Sequence, residues 1–332
     1  MHQKKVLRIS AAALVFAVTL RLVGNGFFRP VSAFLTRPET LSFLIYAQTG
    51  RVLRPVVHRP IPEPTNSTTP TQITQQSEPT ETVPDAVLSF SDGDLELVEV
   101  YYYCDYDPDL QILLSSPLNI KLAGEEPTVL IVHSHGSESY SGDYKEVEPY
   151  RSLDPDLNMI AIGTEVERIL ELNGISVLHD CNIYDYPDYN GAYVAARASI
   201  EEYLAAYPSI QLVLDLHRDA AEGDAGQLVT SATVDGQQSA QLMLVIGTDA
   251  SGKNHPNWQD NLALALKLHV LLEQENPGVT RPISLRKQRF NMDLTPGSLL
   301  IEVGAAGNTL EEALIAANAL AEAIVKLSNG SR

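Results

Sequence analysis

Thr128-Val-Leu-Ile-Val132 runs directly into His133-Ser-His135-Gly-Ser-Glu138-Ser-Tyr140. An apolar run of this length without polar alternation fits a strand buried on both faces, and the switch to histidine, serine and glutamate marks where the chain leaves the core. The same arrangement recurs downstream. Leu212-Val-Leu-Asp-Leu216 is followed by His217-Arg218-Asp219, and Leu299-Leu-Ile301 by Glu302-Val-Gly304. Two further short apolar runs lie at Ile175–Leu178 and Leu242–Ile246. Between these runs the spacing predicts helices over Leu157–Asn173, Tyr193–Ala206, Asn257–Glu275 and Thr309–Leu327. The last is the best marked. Asn308 stands as an N-cap with Glu311 three residues on, and Leu310, Ala313, Leu314, Ala317, Leu320, Ala321 and Ile324 form one apolar stripe. Strands alternating with helices predict an α/β fold: an open, mostly parallel sheet with helices on both faces. In such sheets ligands bind at the carboxyl ends of the strands.

Three of those ends carry hydrolytic chemistry. A histidine, a carboxylate three residues on and a distant second histidine supply three protein ligands of a catalytic zinc, with the fourth position left to water. His135-x-x-Glu138 has the short spacing, His217 comes from another strand end, and Glu302 is free to act as general base. Zinc brings the pKa of water near neutrality and polarises a carbonyl, while a glutamate moves a proton to the leaving amine, so an amide is the natural substrate. Each residue alone has a structural explanation: a chance His-x-x-Glu, a satisfied strand-end histidine, a salt bridge. His133 falls on the other side of the strand from its neighbours and is read as substrate-facing or structural. His179, His255 and His269 are weaker candidates, the last inside a helical apolar pattern. A nucleophilic serine fails on spacing, because Gly136-Ser-Glu-Ser-Tyr140 is not G-x-S-x-G. Neither a P-loop nor a dinucleotide fingerprint is present.

The flanking composition describes two environments. The 332 residues carry a net charge of -19, which disfavours nucleic acid as a partner. Up to Arg59 there are nine basic residues and one acidic, a net of +8, which leaves -27 for the other 273. Lys4, Lys5 and Arg8 precede an uncharged, mostly apolar run from Ile9 to Leu20, the layout of a signal peptide or signal anchor, here expected to be retained. Pro55–Pro84 holds seven Pro and seven Thr and no aromatic residue, which reads as an extended spacer reaching about 100 Å at most. The expected organisation is an anchor or signal segment over 1–36, an extracytoplasmic linker over 37–85, a β-rich lead-in or sheet-edge extension over 86–127, and the α/β domain over 128–328. Cys104 and Cys181 lack CxxC spacing and are either a pair or two ordinary thiols.

These residues resemble a known family. The runs His133–Tyr140, Tyr150-Arg-Ser-Leu-Asp154 with Asn158, Tyr189-Asn-Gly-Ala-Tyr193, Asp215–Ala220, Gly247-Thr-Asp249, His255-Pro-Asn-Trp258, Leu300–Gly304 and Asn308–Glu312 are similar to stage II sporulation protein P, a membrane-anchored cell-wall hydrolase of endospore-forming bacteria. The resemblance covers about residues 125 to 327. It implies a zinc-dependent N-acetylmuramoyl-L-alanine amidase with a phosphorylase/hydrolase-like fold, remotely akin to zinc carboxypeptidases. Such an enzyme cuts between muramic acid and the stem peptide of peptidoglycan, and is also credited with cleaving peptide cross-links. The family acts in forespore engulfment with stage II sporulation proteins D and M. His135 and His217 fall on its metal histidines and Glu302 on its catalytic glutamate. The third ligand is Glu138 by carboxypeptidase-like spacing or Asp154 by the amidase pattern, with the shorter reach favouring Glu138. Arg218 and Asp219 are expected to orient the substrate's carboxylates and a metal histidine, or else to form a local salt bridge. The contrasting reading is an inactive wall-binding scaffold of the same machinery.

Overall fold

The computed structural model describes residues 88–330 apart from 119, 143–146 and 224–225. The expected anchor and linker lie outside the described residues. No helix among the described residues is long and apolar enough to cross a membrane.

Seven strands form the central sheet: β1 (Val100–Tyr102), β2 (Val129–Val132), β3 (Val177–His179), β4 (Leu212–Asp219), β9 (Leu242–Gly247), β10 (Ile283–Arg286) and β11 (Ser298–Ala305). Their order is β1-β10-β9-β11-β4-β2-β3. Two small antiparallel ribbons, β5 (Glu222–Gly223) with β6 (Gly226–Gln227) and β7 (Ala232–Val234) with β8 (Gln237–Ser239), stand outside it. Every neighbouring pair in the large sheet is parallel except β9 and β11. That single antiparallel joint divides the sheet into two parallel blocks of opposite sense, β11-β4-β2-β3 and β9-β10-β1. The predicted strands are present; the sequence reading lacked β10 and the reversal at β9.

Four helices follow the predicted periodicity, α2 (Met159–Leu172), α3 (Ala192–Ala206), α4 (Trp258–Glu275) and α5 (Leu310–Gly330), and a fifth, α1 (Leu110–Ser115), lies in the lead-in that was expected to be β-rich. They cover the two faces unequally. Val129, Ile131, Leu212, Leu214 and Leu216 point into the large core with α2, α4 and α5, whereas Leu130, Val132 and Val213 meet Ile200, Tyr203 and Leu204 of α3. Alternation along β4 then sends Asp215 and His217 to the thinly covered α3 face, beside Val213.

Helix α5 corrects one sequence expectation. Thr309, not Asn308, makes the capping box: its Oγ1 accepts from Glu312 N at 3.2 Å and its own N–H reaches Glu312 Oε2 at 3.0 Å. Asn308 instead holds the preceding turn, where its side chain accepts from the backbone N–H of Ala305 and Thr230 and donates to the Thr230 carbonyl.

The lead-in is an edge extension of the sheet. β1 pairs with β10, and α1 packs on α4, where the buried Lys267 donates to Leu113 O at 2.9 Å. His269 accepts a place in the same packing, its Nε2 lying 3.1 Å from Leu97 O. Cys104 and Cys181 are both free thiols.

His133, offered as a substrate-facing residue, belongs to the interior. It is fully buried, with Nδ1 at 3.2 Å from Leu216 O and Nε2 at 2.8 Å from Nε2 of His179, which in turn contacts Glu167 at 3.2 Å. Burial opposes charge on both rings. In His179 the contacts with Cys181 and Glu167 outweigh it and lift the pKa to about 9, while His133 is pushed down to about 3 by burial and by His179. The proton therefore sits on His179 and is donated to His133. This pair rests on Gly163 of α2, where an added Cβ would overlap Nε2 of both rings. Gly163→Ala is expected to destabilise the protein by about 1–3 kcal/mol in chemical denaturation despite alanine's better helix propensity, because the overlap falls in a close-packed interior. Equal or greater stability would mean that the imidazole pair is free to move aside.

Candidate active site

The end of β2, the end of β4 and the end of β11 lie side by side, and this brings His135, Glu138, His217 and Glu302 together. Glu302 is the register partner of His217, so the two side chains leave the same face of adjacent strands. His135 and His217 meet edge to face with ring centroids 5.4 Å apart. Glu138 Oε2 lies 3.5 Å from His217 Nδ1. The Glu138 carboxylate is buried and also receives the Arg218 backbone N–H at 3.3 Å, with the Arg218 guanidinium 3.7 Å away. Burial works against its ionisation, but His217, Arg218 and His135 outweigh that and hold it below the usual glutamate range.

Two aspartates that the sequence reading gave no role brace the histidines. Asp215 accepts the Ser134 N–H at 2.8 Å and hydroxyl at 2.6 Å, and its Oδ1 lies 2.9 Å from His217 Nε2, outside good hydrogen-bonding geometry. Asp185 accepts the Ser137 N–H at 3.0 Å and hydroxyl at 2.7 Å, bonds Arg151 at 2.6 Å and faces His135 Nδ1 at 3.7 Å. Each aspartate thus pins a serine of the β2 loop and lies against one histidine. Despite the cost of burial, His135, Ser137 and Arg151 hold the Asp185 pKa down to about 2. His217 is driven well above its ordinary value, burial being overcome by Asp215 and Glu138. Aromatic rings complete the wall. Tyr189 stacks on His135 at 4.4 Å, and Tyr193 meets His135 edge-on at 5.2 Å and lies nearly parallel to His217 at 6.2 Å.

Glu302 is the outlier. Its Oε2 is closed to solvent and has no hydrogen-bond partner. Burial, then the charges of Glu138 and Asp219, push its pKa up to about 8 against the opposing pull of His217 and Arg218. Burial and the nearby Asp215, Glu302 and Glu138 also push Tyr193 far up, so its hydroxyl keeps its proton.

The remaining predicted residues are committed elsewhere. Arg218 donates to Ser139 O at 3.0 Å and Tyr150 O at 3.1 Å, which ties the loops down and takes it away from the expected substrate contact. Asp219 pairs with Arg281 at 2.7 Å and does not orient a histidine. Asp154 takes the Asp156 N–H at 3.1 Å in a loop turn. His255 is buried with neither ring nitrogen hydrogen-bonded. Among the described residues, no set of three or more His, Cys, Asp or Glu side chains is already drawn together at metal-binding distances.

Residues 56–325 match the family described as Stage II sporulation protein P. The chain belongs to that family. Over 211 residues it is 29% identical to stage II sporulation protein P of Bacillus subtilis (strain 168), a match that takes in 60% of this chain and 50% of the relative, so the chain spans about half the length of the curated relative that it matches. Among solved structures, N-acetylmuramoyl-L-alanine amidase AmiC2 of Nostoc punctiforme overlays 62% of this chain and 96% of its own at 13% identity and a TM-score of 0.36. The CwlD amidase of Clostridioides difficile, solved in complex with the GerS lipoprotein, covers 61% of this chain and 98% of its own at 15% identity and a TM-score of 0.40. The amidase Ami1 of Mycobacterium smegmatis covers 64% and 100% at 14% identity and a TM-score of 0.37. At such scores the architecture of this family member stands on its own strand order.

Proposed function

We propose that this family member is a zinc-dependent peptidoglycan hydrolase that cleaves the amide between N-acetylmuramic acid and L-alanine during sporulation. The observation that carries the reading is the gathering of His135, Glu138, His217 and Glu302 at adjacent strand ends, with Glu302 Oε2 buried and without a hydrogen-bond partner. Burial, and after it the charges of Glu138 and Asp219, raise Glu302, and a divalent cation bound beside it would favour its ionised form. The donor set also suits zinc. The 3.5 Å between Glu138 Oε2 and His217 Nδ1 is near the roughly 3.3 Å that separates two donors on a tetrahedral ion with arms of about 2.0–2.1 Å. With Asp185 facing Nδ1 of His135 and Asp215 facing Nε2 of His217, the opposite nitrogens, His135 Nε2 and His217 Nδ1, are the ones left to the metal. His135, Glu138 and His217 would then hold the ion, which when bound supplies Lewis-acid polarisation of the amide carbonyl and acidification of water.

The chain's own groups do the rest. Glu302 takes a proton from the attacking water at Oε2 and returns it to the departing amine nitrogen. Tyr189 and Tyr193 fix the His135 ring and exclude bulk water, and the protonated Tyr193 hydroxyl is available to donate to the developing oxyanion. The basic N-terminal segment would anchor the chain in the membrane, with the α/β domain on the extracytoplasmic side, and stage II sporulation proteins D and M are its proposed partners in engulfment.

Zymography with purified peptidoglycan tests the reading. Clearing is expected that chelator abolishes and added zinc restores, with new amino termini at alanine. Tight binding to the wall without clearing would replace the enzyme with a scaffold.

A further inference from the structure

The α3 face holds a second feature beside the histidines. A cleft of about 370 Å³ opens between the first turns of α3 and the loops that follow β9 and β10. Tyr193 belongs to both places: one neighbour of its ring is His217, and another is Phe290 of the cleft at 5.9 Å. Tyr193 is thus a wall that the cleft shares with the site.

Its wall is built at some expense. β9 lies between β10 and β11 in the sheet, so the chain leaving β10 must cross the end of β9 to reach β11. It crosses over Gly247, where any Cβ would overlap the backbone of Gln288 and Arg289. Just beyond, Phe290 (φ 49°) and Asn291 (φ 60°) are successive non-glycine residues in the left-handed region, a strain on the order of 1 kcal/mol or more each. Three amides hold this path: Asn291 donates to Tyr193 O at 2.8 Å, Asn261 to Met292 O at 2.9 Å and Asn257 to Asp293 O at 2.9 Å. The result is a fixed Phe290 ring opposite Val194, which is 75% exposed.

The charge of the cleft runs against that of the chain. Arg197, Lys253 and Arg289 line it in a protein of net charge -19. Arg197 is spent on Asp293 and Glu201, but Arg289 uses one terminal nitrogen for both Asp293 and Asn254 O, and Lys253 forms no salt bridge among the described residues. Small apolar groups would find Val194 and Phe290, and an anion would find Lys253 and Arg289.

We propose that the cleft binds the acidic stem peptide on the departing-amine side of the scissile bond, with a methyl side chain against Val194 and Phe290 and the free carboxylate of the second residue at Lys253 and Arg289. This assignment rests on the amidase reading. The glycan side of that bond has no carboxylate beyond the cut to reward a cationic wall, whereas the second residue of an extended peptide lies about 7 Å away and carries one.

Two muropeptides test it, identical except that the carboxylate of the second residue is free or amidated. For the unaltered protein KM is expected to be about fivefold lower with the free acid, and in Lys253→Glu this preference between the two muropeptides is lost. Isothermal titration of the released acidic peptide, which has no scissile bond, reads the cleft separately. Peptide binding that Lys253→Glu weakens would support the cleft even if neither muropeptide were cut, an outcome that would sink only the amidase reading. Cleavage of both substrates with equal KM, with peptide affinity indifferent to Lys253→Glu, would overturn the proposal and leave the enzyme standing.

Discussion

Glu302→Gln is expected to lower peptidoglycan turnover about 10³-fold and, in the same molecule, to raise the melting temperature of the metal-free protein at alkaline pH. The first effect follows from the loss of the only proton carrier placed on the strand beside His217. The second follows from linkage. In the folded chain the Glu302 carboxyl titrates near 8, against 4.5 in a solvated chain, because burial and the charges of Glu138 and Asp219 oppose its ionisation. The folded state thus holds this proton more tightly than the unfolded state. Its contribution to stability is complete below about pH 4.5 and is lost as pH rises through 8. Glutamine cannot ionise and escapes that loss, so the variant and the parent should melt together at pH 4 and separate at pH 9, the variant higher. Thermal denaturation in chelator at both pH values checks this. Equal melting at pH 9 would mean that the buried charge is compensated by something other than protonation, and turnover within tenfold of the parent would remove Glu302 as the base.

The second large effect concerns the third ligand. Glu138→Gln preserves shape and the ability to accept from the Arg218 N–H, and so isolates the charge that zinc requires. Zinc content after dialysis is expected to fall from about one equivalent to below about a tenth, while Asp154→Ala, whose carboxylate is engaged in a loop turn, keeps its metal. A full equivalent retained by Glu138→Gln would transfer the role elsewhere. Retention by Glu138→Gln together with loss of metal in Asp154→Ala would favour the amidase-pattern alternative.

Residue patterns disclosed what local physics controls. Apolar runs ending in His or Glu gave the strands and the ends where chemistry gathers, and helical periodicity placed α2 to α5 within two residues at their starts. Thr309-x-x-Glu312 is a legible capping box, and its neighbour Asn308, an equally good N-cap by residue type, is recruited by the tertiary fold for the turn behind it. Asp215 could have been read as well, since it stands two residues before His217 on the same strand face. Asp185 and Tyr189 could not. They arrive from the irregular stretch after β3, and nothing in their spacing says that it folds back over His135. β10 was hidden for a related reason: Ile283-Ser-Leu-Arg286 follows Pro282 and is too short and mixed to signal a strand until β9 and β1 flank it. The reversal of β9 is likewise a property of the assembled sheet alone.

That reversal has a consequence for the order in which the domain can be built. β11 is the last strand to be made, yet it sits in the middle of the sheet, and it alone hydrogen-bonds one block to the other. A chain growing from its N-terminus can pair β4-β2-β3 and, separately, β9 with β10 and β1, but the two halves share no strand contact until residues 298–305 emerge. The carboxylate of Glu302 travels on that same keystone. Closure of the core and completion of the site are therefore one event, and a chain cut short of residues 298–305 has neither.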